Sequence, residues 1–182
     1  MRLYDICLRE VLKTRGIELF EQLEMLQIKG NPLNGSYQDM WVKAAASNPS
    51  IMDWLVLKTD CTMVSLVELV YSVAMEACCI EVLNWFIEPL RSEFKMNGSP
   101  DQIVWTVLTD PINIYNYTRA RITFIKKDDV PTAHWLLQNQ CLLLQEMYAL
   151  AINLGCRGWY APRVHGYLFK MISGMSVQCC TK

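Results

Sequence analysis

The sequence predicts an all-α protein, a single domain over 1–182 built from stacked helical hairpins. Apolar residues recur at helical spacing almost throughout the chain, and residues that cap helices precede the apolar runs. One pattern of apolar columns also returns at a constant shift, which is typical of a repeat architecture. The 182 residues are 52% apolar and 19% charged, so the chain can bury a core and is not disordered.

Two amphipathic helices are predicted at the N-terminal end of the chain. The first ends at Gly16, because glycine readily adopts the left-handed turn that closes a helix. The second ends at Lys29 and Gly30, a cation followed by a glycine, and a turn follows at 31–36. The apolar faces of these two helices consist of Leu3, Cys7 and Val11, and of Leu19, Leu23 and Leu26.

Later helices begin at a capping residue followed closely by proline, a combination that favours a helix start. At one of them, Gln102 completes a capping box by reaching back to the amide of the capping serine. A long helix is predicted over 131–154, and Pro162 begins a last helix that extends towards Ser173. The capped starts are Asn48-Pro49, Ser99-Pro100, Asp110-Pro111 and Asp129-Val130-Pro131.

The segment 112–125 also fits a second interpretation. Under a period of two, its apolar residues fall on one side and its tyrosines and arginines on the other, which favours a strand. The sequence therefore leaves open a short β-hairpin near 112–125. The two alternating sets are Ile112, Ile114, Ala120, Ile122 and Phe124, and Tyr115, Tyr117, Arg119 and Arg121.

Three segments of the chain align at a shift of 31 residues, and a fourth follows at a shift of 50. A column of large apolar residues is preceded by a polar column in each copy. Small helical units cannot bury their own apolar faces, so we expect them to stack, with the apolar column between layers. The apolar column is Leu23, Trp54, Trp85 and Trp135, and the polar column is Gln22, Asp53, Asn84 and His134. The predicted units span about 3–31, 37–60, 62–90 and 112–140, with capping helices at 141–175.

Several segments resemble ankyrin repeats. Residues 8–16 are similar to a first ankyrin helix with its turn, and 17–26 to the second helix. The alanine-rich segment 42–48 resembles another first helix, and 73–83 resembles a first helix that continues into the second. The Thr-Pro-Leu-His start is absent, so the units resemble degenerate ankyrin repeats, with another α-solenoid as the alternative. The resemblance implies a binding scaffold without chemistry, such as a viral accessory or effector protein that acts on host factors.

The motifs of common enzymes are absent from the sequence, which has no phosphate-binding glycine loop and no serine nucleophile motif. His134 and Cys141 are seven residues apart, about 10.5 Å along a helix, so they cannot share one zinc ion if that helix is continuous. Cys156 and His165 are the only plausible partners for a cysteine nucleophile with a histidine base. We predict no catalytic residue, metal or cofactor; a thiol- or metal-dependent enzyme is the second alternative.

The composition and the N-terminus also bear on location. No uninterrupted apolar stretch precedes the charged residues of the first helix, so we expect a cytoplasmic or nuclear protein that is not secreted. Its eight cysteines then remain reduced thiols. The most apolar segment, 63–87, contains three glutamates, which favours a buried helix pair over a membrane span.

Two short segments are predicted to contact a partner. Tyr and Arg are enriched in protein interfaces, and the same residues can stack on bases and contact phosphates. We therefore expect a protein partner, with RNA binding through the segment 115–121 as the first alternative and self-association as a further option. The predicted anchors are Tyr115, Tyr117, Arg119, Arg121, Trp159 and Tyr160.

Overall fold

The computed structural model describes residues 3–14, 17–94 and 99–174, and these residues form helices and turns without a strand. The predicted all-α class is therefore confirmed. The turn predicted at Gly16 lies outside the described residues. The first seven helices are α1 (Leu3–Val11), α2 (Ile17–Met25), α3 (Gln38–Ala45), α4 (Pro49–Lys58), α5 (Met63–Leu66), α6 (Ser72–Ala77) and α7 (Ile80–Phe94). The others are α8 (Pro100–Val107), α9 (Pro111–Ala120), α10 (Thr123–Lys126), α11 (Val130–Gln138), α12 (Leu144–Cys156) and α13 (Pro162–Ile172).

The helices pack in two layers. In one layer α4 contacts α7, α7 contacts α11, and α11 contacts α13. In the other, α3 contacts α6, and α6 contacts α9 and α10. A π-helical segment, Val67–Tyr71, joins α5 to α6, and a 3₁₀ turn at Pro32–Asn34 precedes α3. The buried core lies between the layers, so neither layer could bury its apolar face alone.

Local capping bonds explain where the helices begin. The Asn48 side chain accepts a hydrogen bond from the Ser50 amide at 3.0 Å, and Asp110 accepts one from the Ile112 amide at 2.7 Å. Ser99 forms both bonds of its capping box, as predicted. Each of these bonds satisfies amide groups that the first turn of a helix leaves without a partner.

The hairpins α6–α7 and α10–α11 share one turn geometry. Cys78 and Asp128, 50 residues apart, both adopt left-handed backbone angles, with φ of 60° and 53°. The next amide in each turn donates to a carbonyl five residues back, from Cys79 to Ala74 at 3.1 Å and from Asp129 to Phe124 at 2.8 Å. This is the closing bond of a Schellman motif, made here without glycine.

Equivalent hydrogen bonds also connect the layer of second helices. Trp85 Nε1 on α7 donates to Asp53 on α4 at 2.7 Å, and Trp135 Nε1 on α11 donates to Asn84 on α7 at 2.7 Å. In both bonds the acceptor is the polar residue that precedes the tryptophan position in the neighbouring copy. Trp54 differs, because its buried ring stacks on Trp41 with centroids 5.5 Å apart.

The β-hairpin alternative near 112–125 is wrong. Asp110 caps a helix there, and α9 and α10 occupy the segment. Burial follows the helical period, since Tyr117 and Ala120 are buried while Tyr115 is exposed. The alternation of residue types at every second position therefore had no counterpart in the packing.

The long helix predicted over 131–154 is also interrupted. Gln140 takes a left-handed φ of 55°, and the Cys141 amide donates to the Leu136 carbonyl at 2.9 Å, which ends α11. A new start follows, where Glu146 accepts a hydrogen bond from the Leu143 amide at 3.0 Å. The break allows α12 to fold back and pack against α13.

The second helix ends earlier than predicted, at Met25 and before Lys29. Gln27 adopts a left-handed φ of 49° there, although Gly30 is also left-handed. Further along, α7 continues through Pro89 to Phe94, and α8 fills part of the insertion between the third and fourth units. Beside the core, the partly exposed Trp105 of α8 packs against the buried Tyr117, with centroids 5.3 Å apart.

Candidate partner-binding surface

The predicted anchors separate into exposed and internal residues. Tyr115, Trp159 and Tyr160 are 61%, 49% and 78% exposed, and Arg119 is exposed as well. Tyr117 has no exposed surface, and Arg121 is partly buried. Four of the six predicted anchors are thus exposed side chains.

Tyr117 is a core residue, which corrects its assignment as an anchor. Its ring lies 5.8 Å from that of Tyr71 and 5.3 Å from that of Trp105, so it fills the space between α9, the π-helical segment and α8. Buried aromatic pairs of this kind stabilise a core beyond the area they bury. Tyr117 contributes to the fold, and a partner cannot contact it.

Arg121 serves the fold as well. Its guanidinium donates to the Cys141 carbonyl at 3.0 Å and lies 5.9 Å from the rings of both Trp105 and Tyr117. It therefore joins the end of α9 to the turn between α11 and α12. This arginine is not directed at solvent, which corrects its role as a phosphate or partner contact.

Tyr115 and Arg119 form a pair on the outer face of α9, four residues apart. The Arg119 guanidinium lies 5.7 Å from the centre of the Tyr115 ring, a cation–π distance. Arg119 also lines a cleft of about 240 Å³ between α9 and the π-helical segment with α6. Glu68 and Glu76 lie in the opposite wall, so this cleft carries both signs of charge.

Trp159 and Tyr160 lie in the turn between α12 and α13. Gly158 has a φ of +89°, and the Trp159 amide donates to the Leu154 carbonyl at 2.9 Å, so the turn has a fixed geometry. The Lys126 ammonium lies 5.1 Å above the Trp159 ring. Two aromatic side chains are thus presented to solvent, one of them already beside a cation.

Hydrogen bonds between successive turns bring this segment beside the end of α10. Lys127 Nζ donates to the Glu76 carbonyl at 2.6 Å, which joins the turn of the α10–α11 hairpin to the end of α6. The Asp128 carboxylate then accepts from the Arg163 and Val164 amides at 3.2 and 2.8 Å, so it caps α13 from another hairpin. The turns of the last two hairpins and the start of α13 form one continuous edge.

We call this region the basic edge, defined by Lys126, Lys127, Arg157, Trp159, Tyr160 and Arg163. All six side chains are exposed. Sequence reasoning found the two aromatic residues and missed that Lys126 of the neighbouring hairpin lies over the Trp159 ring. The signal was present as Lys126-Lys127 and as two arginines flanking Trp159-Tyr160, but only the cap at Asp128 brings the two groups together.

The histidines weighed for chemistry make packing contacts. His134 Nδ1 shares a 2.8 Å hydrogen bond with the Tyr167 hydroxyl, and the His165 ring lies 5.3 Å from that of Tyr148. Cys141 is buried and Cys156 is exposed. Across the described ranges, no three His, Cys, Asp or Glu side chains are grouped so that they could hold a metal ion.

Two half-buried cysteines have pKa values that make their thiols less reactive. Burial raises the pKa of the Cys78 thiol above its usual value, and burial does the same to the pKa of Cys61. The thiolate is the nucleophilic form of cysteine, so a raised pKa lowers the reactive fraction at neutral pH. Neither residue has the environment of an activated nucleophile.

No protein-family model, characterised protein or solved structure matches this chain significantly. Along residues 3–14, 17–94 and 99–174, no helix combines the length and apolar character needed to cross a membrane. The fold and the surface residues are therefore the basis for any statement about function.

Proposed function

We propose that this protein is a non-enzymatic scaffold that binds another protein. The observation that carries the proposal is a pair of exposed aromatic–cation contacts, Tyr115 with Arg119 and Trp159 with Lys126, on a helical stack. Aromatic and arginine side chains are the residue types that most often dominate binding energy. Helix α9 holds the first pair and the closed turn before α13 holds the second, so little conformational entropy is lost on binding.

The surroundings of α9 favour protein over RNA. Within the segment 115–121, Tyr117 and Arg121 face the core, which leaves Arg119 as the one arginine directed to solvent. Glu68 and Glu76 lie across the cleft from it, and carboxylates repel a phosphate backbone. A mixed polar surface of this type suits the rim of a protein interface.

The proposal also accounts for the thiols and histidines without catalysis. Cys78 and Cys61 are held as thiols, and His134 hydrogen bonds to a tyrosine inside the stack. These groups support packing, which is what a scaffold requires. We propose a cytoplasmic or nuclear site of action; that the partner is a host factor follows only from the ankyrin resemblance.

Site-specific photo-cross-linking tests the proposal. A photoreactive amino acid would replace Tyr115 or Tyr160, with Glu21 on the exposed face of α2 as the control position. We expect one protein to be cross-linked in cells from both test positions and not from the control. Equal cross-linking from position 21, or cross-links only to RNA, would contradict the proposal. Cross-links between copies of the chain would instead identify the partner as the protein itself.

A further inference from the structure

The basic edge has an excess of positive charge that the fold does not neutralise. Within the described residues, none of its four cations forms an ion pair with a carboxylate; the two recorded pairs, Lys13–Glu10 and Lys58–Glu24, lie elsewhere. Lys127 reaches a backbone carbonyl instead. Arg157 and Arg163 are therefore the cations best placed to pair with acidic groups of another molecule, since Lys126 already lies over the Trp159 ring.

The two neighbouring carboxylates are occupied by the backbone. Asp128 accepts two amide hydrogen bonds at the start of α13, and Asp129 accepts one from the Thr132 amide at 2.8 Å at the start of α11. A helix N-terminus carries partial positive charge, which offsets part of the negative charge of a capping carboxylate. The two adjacent acidic residues therefore only partly cancel the four cations of the basic edge.

The charge is distributed unevenly along the chain as well. Residues 1–94 contain 8 Lys and Arg against 13 Asp and Glu, whereas residues 95–182 contain 9 against 5. The first part therefore carries a formal charge of −5 and the second +4. A long polyanion that followed the stack would be repelled by its first half, while a short one could remain at the basic edge.

The extent of the basic edge also favours a short ligand. Residues 46–48 and 77–79, which form the turns of two earlier hairpins, contain no cation, and Glu76 lies directly beside the second. Proteins that bind single-stranded nucleic acid usually offer a continuous positive groove with a series of stacking rings. The basic edge offers two exposed rings and four cations within two neighbouring turns.

We propose that the basic edge binds a short acidic peptide segment of the partner, which deepens the proposed function and rests on it. Carboxylates of the segment pair with Arg157 and Arg163, whose planar guanidinium groups suit bidentate contacts. An apolar side chain of the segment packs on Trp159 and Tyr160, which would otherwise remain exposed. The segment gains both charge pairing and aromatic burial from one site.

Fluorescence anisotropy with a defined probe tests this inference. The probe is a fluorescein-labelled peptide rich in Asp and Glu with one central leucine, and the same peptide with Asn and Gln in place of the acids is its control. We expect the acidic peptide to bind and the neutral one to bind at least about tenfold more weakly, since several charge pairs are lost. The affinity should fall as salt rises.

Paired variants locate the binding site. Arg157→Glu with Arg163→Glu should weaken binding of the acidic peptide about tenfold or more. Lys29→Glu with Lys43→Glu changes the net charge equally at exposed positions outside the basic edge, and it should leave the affinity within about twofold. Circular dichroism would verify that both double variants are folded. An equal loss in the two variants would overturn the inference.

Tryptophan fluorescence supplies an independent readout. Binding should change the emission of the protein, and Trp159→Phe should remove that change while keeping an aromatic ring. Single-stranded polyuridylate serves as the competing ligand: its binding at the basic edge, without binding of the acidic peptide, would overturn the inference in favour of RNA. If neither ligand binds, the inference fails, while cross-linking from position 115 still decides the proposed function.

Discussion

The third and fourth hairpins have the same internal geometry and different outer surfaces. Both have a left-handed turn, at Cys78 and at Asp128, and in both a tryptophan Nε1 donates to the polar column of the preceding unit. The turn between α6 and α7 contains two half-buried cysteines. The turn between α10 and α11 follows two exposed lysines, and its Asp128 caps α13. The comparison teaches that inward residues repeat because they build the stack, while outward residues are free to differ and can carry function.

The largest difference in stability should be between variants of Trp135 and Trp85, the two tryptophans that donate the equivalent hydrogen bonds. Trp135 is buried and Trp85 is only partly buried. Trp135→Ala should destabilise the protein by about 3–5 kcal/mol because it leaves a large cavity. Trp85→Ala should cost about 1–2 kcal/mol, since solvent already reaches its ring. Urea denaturation measures both values. Equal losses of stability would contradict the deeper burial of Trp135.

The two left-handed turn residues should differ next. Asp128→Ala removes the acceptor for two amides at the start of α13, so it should cost about 2 kcal/mol. Cys78→Ala removes only a half-buried thiol and should cost about 0.5 kcal/mol. Thermal denaturation of the pair checks this, with Asp128→Asn as an intermediate case. A harmless Asp128→Ala would contradict the capping role.

Two glycines near the basic edge should respond in opposite directions to one substitution. Gly158 has a φ of +89°, so Gly158→Ala should destabilise the protein by about 1 kcal/mol. Gly155 lies within α12 with open space around its Cα, so Gly155→Ala should stabilise it by about 0.5 kcal/mol. Melting temperatures that move the same way would argue against this turn geometry.

Thiol reactivity should give the smallest difference. Burial raises the pKa of Cys78, so its thiolate fraction near pH 8 is lower than that of an unshifted cysteine. Cys156 is exposed beside the basic edge and should be alkylated first. Mass spectrometry after brief iodoacetamide treatment would rank them, and rapid modification of Cys78 would mean that its turn opens readily. Raising the pH towards the raised pKa of Cys78 should increase its rate of alkylation.

The parts of the fold that could be predicted are those set by neighbouring residues. Asn48 and Ser99 cap helices with side chains two or three residues from their partners, so the sequence shows both groups together. The polar and apolar columns could also be read from the sequence, because the same residue types return at shifts of 31 and 50 residues. Their hydrogen bonds from Trp85 and Trp135 then follow once the helices lie side by side.

The remaining features depend on distant contacts. Gln140 ends α11 although glutamine is a good helix former, so packing overrides local preference there. Tyr117 and Arg119 are two residues apart in the sequence, yet one is buried and the other exposed, because α9 rotates them to different faces. Lys126 and Trp159 meet only through tertiary packing. A single sequence does not show directly which distant residues come into contact.

The outer face of the last turns should bind a partner while the inner face builds the stack. One variant, Arg157→Ala with Tyr160→Ala, tests this division with two measurements on the same sample. We expect an unfolding free energy within about 0.5 kcal/mol of the unchanged protein, together with loss of the product cross-linked from position 115. Full cross-linking by this variant, or its unfolding, would contradict the proposed division between the two faces.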